Sequence, residues 1–369
     1  MAGTTRLERY ALTLIVVLTA LAGLANYGAW ATVPRFILAT LALAGLAWVV
    51  SFSTEQLGER FGPGLTGMLQ STLGNLPELF VVVFALQKGE LVVAQTAIVG
   101  SILANALLVL GLVIVVGAHH APDGIMRFSH RLPRDTATLL LLASFIIVLL
   151  GLSLASHDPA SHHVAAISAV GAVCLLVVYM TWVVPYLRSD TVPGAEIAPR
   201  GASGVPAGAA EARRPAPRLS LHTTVGLLIV AGTASAFVSD WFINALGPAI
   251  EVLHISQAFA GIVIIAIAGN AAENTAGVVL AHKGKYDLAV SVVKNSVAQI
   301  AAFLFPLLVL VSFALATTLT FALAPVYIGA LVLTALALWQ ITGDGEAAAF
   351  EGWALIALYV IVAALTLYE

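Results

Sequence analysis

The sequence predicts an all-α, polytopic membrane protein of about 11 transmembrane helices, arranged as one leading helix and two inverted five-helix repeats. Three observations carry this prediction. Of 369 residues, 60% are hydrophobic and only 9% charged, against roughly 25% charged in soluble domains, and the mean hydropathy is +1.01. Apolar stretches of the ~20-residue length that crosses a bilayer recur along the whole chain. Finally, Gly74-Asn75-Leu76-Pro77-Glu78 is echoed by Gly269-Asn270-Ala271-Ala272-Glu273, and an ungapped overlay of 74–101 on 269–296 matches eight residues, ending with Ser101 on Ser296.

Taken in order, the first segment spans 10–30. Its apolar run is longer than the roughly 7–15-residue core of a cleavable signal, so it reads as a retained helix behind Arg6 and Arg9. The first set of five follows at 36–53, 66–87, 91–117, 135–156 and 163–187. Thr54 to Gly64 and His119 to Arg134 read as polar connections. From Ser189 to Arg218 the composition shifts to Pro, Gly and Ala with scattered charge, which cannot bury enough apolar surface to order itself. The second set occupies 220–243, 257–281, 287–313, 319–341 and 350–368. The chain thus divides into a leading helix (1–33), a first repeat (34–188), a linker on the cytoplasmic side (189–219) and a second repeat (220–369).

The paired motifs fall on the third and eighth segments, an odd number apart, so those segments cross in opposite directions, the signature of an inverted repeat. Thirteen Lys and Arg residues, from Arg6 to Lys285, fall on one side; the other has Arg35 and Lys88. The basic side is expected to be cytoplasmic, with the amino terminus there and the carboxyl terminus opposite. Cys174 is the single cysteine, so no intrachain disulfide can form, and its apolar surroundings suggest a small buried hydrophobe.

A carboxylate near the bilayer centre costs about 2.5–3.5 kcal/mol on insertion scales, and two such costs call for a function. Asn75 and Glu78 are three apart on a helix and share a face with Gly74, as do Asn270, Glu273 and Gly269. Pro77 lacks a backbone donor and Gly74 weakens the helix, so free carbonyls can stand beside the carboxylate. Hard cations such as calcium take six to eight oxygen ligands of these kinds. The following segments add Gly100, Ser101 and Asn105, and Asn295, Ser296 and Gln299, at corresponding depth. His157, His162 and His163 with Asp158, and His119, His120 and His130, lack helical metal-motif spacing and read as structural or solvated. No HExxH, GxSxG or phosphate-cradling loop is present, which argues against an enzyme or an ATP-driven pump. No cofactor and no nucleic acid is expected.

Gly-Asn-Leu-Pro-Glu within Leu73 to Gly89, the run Gly100 to Gly111, Ile264 to Glu273 and Ser296 to Ala301 together resemble the calcium/proton exchangers of the calcium/cation antiporter superfamily. The resemblance implies that Glu78 and Glu273 bind the cation and carry protons at the midplane. It also implies that Asn75, Asn270, Ser101, Ser296 and Gln299 line the same site. Cytoplasmic calcium would then be exchanged for protons by alternating access, with calcium as cargo. A sodium-driven exchanger and a passive cation channel are the rival readings; the absence of further carboxylates on the fourth and ninth segments favours protons, and the duplication within one chain disfavours a channel. Self-association is left open.

Three features depart from the family pattern. Lys294, seven residues into the segment that begins at 287, is expected either to snorkel to the cytoplasm or to pair with a site carboxylate. The linker has few acids, so a regulatory calcium site there is not expected. Asp240 and Glu55 are read as cation attractors at the pore mouths or as interfacial charges. Pro77 and Lys294, each found in one repeat only, predict that Glu78 and Glu273 differ in proton affinity.

Overall fold

The computed structural model describes residues 5–61, 73–129, 131–188 and 218–369. Most of the linker lies outside these ranges. Twelve helices are named here in chain order: α1 (Arg6–Tyr27), α2 (Thr32–Phe61), α3 (Leu76–Gln87), α4 (Leu91–His120), α5 (Arg131–Ser156), α6 (Val164–Arg188), α7 (Leu221–Leu253), α8 (Gln257–Gly269), α9 (Ala271–His282), α10 (Tyr286–Ser312), α11 (Pro325–Thr342) and α12 (Ala349–Leu367). Among the described residues, nine helices are long and apolar enough to span a membrane, and α8 with α9 makes a tenth bent by 61°. The chain is therefore a polytopic all-α membrane protein. Short α3 stands where the third span is expected, and residues 66–72 of that span lie outside the described ranges.

Three boundaries differ from expectation. The helix predicted to end at 53 continues to Phe61: the Ser53 and Thr54 hydroxyls are satisfied inside it by the Val49 and Val50 carbonyls at 2.7 and 2.8 Å, and helix formers such as Glu55, Gln56 and Leu57 follow. Likewise α7 runs past 243 to Leu253 with Pro248 inside it, ending where His254 turns left-handed at φ 53°. The tenth span begins at Pro325 instead of 319. Proline is preorganised for the first helical position, and the preceding chain is pinned by Ser312 Oγ on Leu319 N at 2.9 Å and Ser168 Oγ on Phe321 N at 3.2 Å. Cys174 is exposed on the outer surface of α6, correcting its expected burial. A lipid-facing surface is as apolar as a core, so apolar neighbours in sequence do not imply burial in a bundle.

Loops gather at two ends as the span order requires. At the arginine-rich end, a two-stranded antiparallel ribbon joins β1 (Ile125–Arg127), after α4, to β2 (Glu346–Ala348), before α12. Arg218 ahead of α7 meets Glu8 of α1 at 2.8 Å there, and Asp287 of α10 accepts from Ser129 N at 2.6 Å. At the opposite end Gln257 bonds Glu90 at 3.0 Å, Ser256 bonds the Thr366 carbonyl, and Tyr327 bonds Glu369.

The centre is held by very close backbone approaches. A Cβ on Gly100 of α4 would lie 2.5 Å from Ile262 Cα of α8, and one on Gly261 would lie 2.0 Å from Thr96 Oγ1. Small residues permit such crossings in membranes, and this one sets Ser101 beside the end of α8.

Candidate functional site

Both Gly-Asn-x-x-Glu motifs break their helices at the asparagine. Asn75 (φ −94°, ψ 20°) and Asn270 (φ −94°, ψ 17°) share one non-helical backbone geometry, and each passes its carbonyl to the next limb, to Leu79 N and Asn274 N at 3.0 Å. Each glutamate consequently lies in the first turn of a fresh 12-residue helix, α3 or α9. The helix ahead of Asn270 loosens into a π segment at Ala260–Ile265, where the Tyr359 hydroxyl takes the Ile262 carbonyl at 2.9 Å. Further π segments occur in α4 at Ala104–Val109 and in α10 at Ile300–Leu304, the places that the duplication makes equivalent. Such π turns gather at functional sites because they re-aim side chains.

Glu78 is 4% exposed and crosses to the second repeat, where a Cβ on Gly269 would lie 2.7 Å from its Oε1. Neither Oε1 nor Oε2 has a hydrogen-bond donor among the described residues. Glu273 is half-buried in the first turn of α9. Asn270 is fully buried and clamped: its Nδ2 donates to Ser101 Oγ at 3.0 Å and to the Ala266 carbonyl at 2.8 Å, and its Oδ1 accepts from Asn105 Nδ2 at 2.8 Å. Asn105 also donates to the Ser101 carbonyl at 3.0 Å, so it joins the two repeats.

The other half of the cluster is open. Asn75 Nδ2, Ser296 Oγ, Asn295 Oδ1 and Asn105 Oδ1 are buried without a partner among the described residues. Position 300, the equivalent of Asn105, is isoleucine, so among the described residues the clamp is not repeated around Asn75. No described residue lies within 4 Å of a Cβ on Gly74, in contrast to Gly269. Gln299 is half-buried at the end of the first stretch of α10. Glu78, against Gly269 and so next to the Ser101–Asn105–Asn270 clamp, offers a buried carboxylate beside amide and hydroxyl oxygens, donor types that a hard cation takes up.

The model of the sodium/calcium exchanger protein family matches residues 32–185 and 223–368. The chain belongs to this family. A member from Synechocystis, a Ca(2+)/H(+) antiporter, is 31% identical over 356 residues, covering 95% of each chain. The vacuolar calcium ion transporter of Schizosaccharomyces pombe is 30% identical over 355 residues, 95% of this chain and 82% of that one. The solved structure of native YfkE superposes with a TM-score of 0.78 at 25% identity, covering 97% of this chain and all of that one.

Lys294 of this family member stands elsewhere than expected. Lys294 neither snorkels nor pairs with Glu78 or Glu273: it is 1% exposed and donates to Thr342 Oγ1 at 2.7 Å. Thr342 ends α11, and the partial negative charge of a helix C-terminus suits an ammonium. That partner lies 48 residues away, with no local signal in the sequence. Asp240 is part-exposed and paired in this structure, held by Lys88 at 2.6 Å. Asp158 is engaged as a helix cap, accepting from Ala160 N and Ser153 Oγ. Asn105 was legible only as a polar residue at the right depth, and its bridging role needed the fold.

Proposed function

We propose that the protein is a secondary active antiporter that exchanges cytoplasmic calcium for protons at one site between its two repeats. The observation that carries this reading is Glu78, a buried carboxylate with no donor to either oxygen among the described residues. An ionised carboxylate without a partner is costly in a low-dielectric interior, so it is to be neutralised by a proton or by a bound cation. With Glu273 beside it, a dication satisfies both carboxylates and protons satisfy each in turn. Calcium and protons thus compete for the same oxygens. Asn75, Asn270, Ser101, Ser296 and Gln299 complete the shell as neutral ligands or their supports. The names of the relatives, a Ca(2+)/H(+) antiporter among them, support the same cargo.

Two inverted five-helix repeats hold the site near the midplane, and the helices around it expose it to one side at a time. The arginine-rich end faces the cytoplasm, which puts Glu8 inside and Glu369 on the opposite side. The shared bend geometry at Asn75 and Asn270 and the paired π segments support the repeat.

The test is calcium uptake into everted vesicles acidified inside. Wild type is expected to accumulate calcium, and Glu78→Gln and Glu273→Gln each to abolish it. Uptake persisting in both variants sinks the assignment. Uptake that follows a sodium gradient and ignores a proton gradient would establish sodium coupling instead.

A further inference from the structure

At the arginine-poor end, α3 carries Glu78 in its first turn and terminates at Lys88. The Lys88 ammonium lies 2.6 Å from Asp240 Oδ1, 2.7 Å from Asn244 Oδ1 and 3.3 Å from the Asp240 carbonyl, all on α7. Asn244 Nδ2 closes the ring on Asp240 Oδ2 at 3.1 Å. A carboxylate, an amide oxygen and a backbone carbonyl around one positive charge are the ligands a hard divalent cation uses. Here the lysine occupies that cage.

Behind the cage, α7 continues as a polar line towards the site. Ser239 adjoins Asp240 and Ser235 lies one turn below; both are buried, and both hydroxyls lack a partner among the described residues. They share the face of Gly232, where a Cβ would lie 3.4 Å from Leu76 Cδ1. Leu76 opens α3 directly after Asn75. From Asn244 to Gly232 the line covers about 18 Å at 1.5 Å per residue, roughly half of a bilayer core and more. At the other end Lys283, which the duplication pairs with Lys88, follows α9 without an ion-pair partner among the described residues. Among the described residues, Lys88 is thus ion-paired and its counterpart Lys283 is not.

We propose that Asn244, Asp240, Ser239 and Ser235 form the arginine-poor half of the ion path, and that Lys88 is a tethered plug. Its ammonium fills the oxygen cage in this conformation and leaves when calcium takes its place. Opening then requires the end of α3 to part from α7, which couples the mouth to the helix that bears Glu78. The inference rests on the exchanger reading for its cargo.

The experiment uses the full chain in proteoliposomes with Cys174→Ala, which removes the single cysteine, and Ser239→Cys as reporter, with Ser235→Cys as a second reporter. A membrane-impermeant thiol reagent is applied from the arginine-poor side. With Lys88 or Lys88→Arg, labelling is expected to be slow. With Lys88→Met it rises about tenfold, as expected when a minor open state becomes dominant. Millimolar calcium then protects the reporter in Lys88→Met, and adding Asp240→Asn removes that protection. Equal labelling across the Lys88 variants at both reporters, or calcium protection that survives Asp240→Asn, overturns the plug. Calcium/proton flux measured in the same vesicles decides the exchanger reading separately.

Discussion

Gly269→Ala isolates the contact that positions Glu78. In the structure a Cβ at 269 stands 2.7 Å from Glu78 Oε1, 2.9 Å from Cδ and 3.0 Å from Cγ, and ordinary contact begins at 3.4 Å. The carboxylate must retreat by the difference. Turning a side chain off its rotamer costs about 0.5–1.5 kcal/mol, which corresponds to a roughly 2- to 13-fold weaker Kd. Calcium tolerates oxygen distances only between about 2.3 and 2.6 Å, so the loss falls on binding. Alanine is the better helix former, so thermal stability is expected to hold or rise. Gly74→Ala is the control, because no described residue lies within 4 Å of a Cβ at that position. Titration calorimetry of calcium into the purified protein, with parallel thermal melts, reads both effects. Equal affinity losses in the two variants, or no loss in Gly269→Ala, would refute the asymmetric placement of Glu78.

Asn270→Ala strands groups that Asn75→Ala does not, each worth about 1–3 kcal/mol when buried; melting of the purified variants should show the former markedly less stable, and equal melting would contradict the one-sided clamp. Lys294→Met removes a buried ammonium that has one acceptor, Thr342. A melting gain of ~1–3 kcal/mol is expected, within the penalty that insertion scales assign to a central lysine, with transport retained; a fall in melting temperature would show that the charge is needed. In the ribbon, the hydrogen bond from Arg127, aided by Ile125 N–H, holds Asp123 below the ordinary aspartate range. The sign follows: a lowered carboxylate pKa stabilises above the unfolded value and that contribution is lost as pH falls through the folded one. Amide exchange at 125–127, corrected for intrinsic rates, should stay constant from neutral pH down to about 3.9 and rise only below it; a rise beginning near pH 5 would contradict the ion pair.

The two bends illustrate what was readable beforehand and what was not. Intramembrane Gly, Asn and Glu are conspicuous against 60% hydrophobic residues, so the position of the site along the chain was visible. Which neighbour each side chain takes was not, since Asn270 meets Ser101 and Asn105 across 169 and 165 positions. Pro77 and Lys294 already set the two halves apart in the sequence, and with isoleucine in place of asparagine at 300 the clamp seen on Asn270 is not repeated around Asn75 among the described residues. Lys294 and Lys88 make the same point: each was legible as a charge, and neither Thr342 nor Asn244 could be named as its partner.

The membrane class, the order of spans and the duplicated carboxylates follow from the chain alone, because burial in lipid demands long apolar runs and makes every polar exception stand out. Helix ends, the direction in which Glu78 crosses, the clamp on Asn270 and the cage around Lys88 belong to the tertiary structure. They depend on backbones meeting at Gly100 and Gly261 and on side chains brought within 3 Å from distant segments, and no local periodicity encodes a contact between helices.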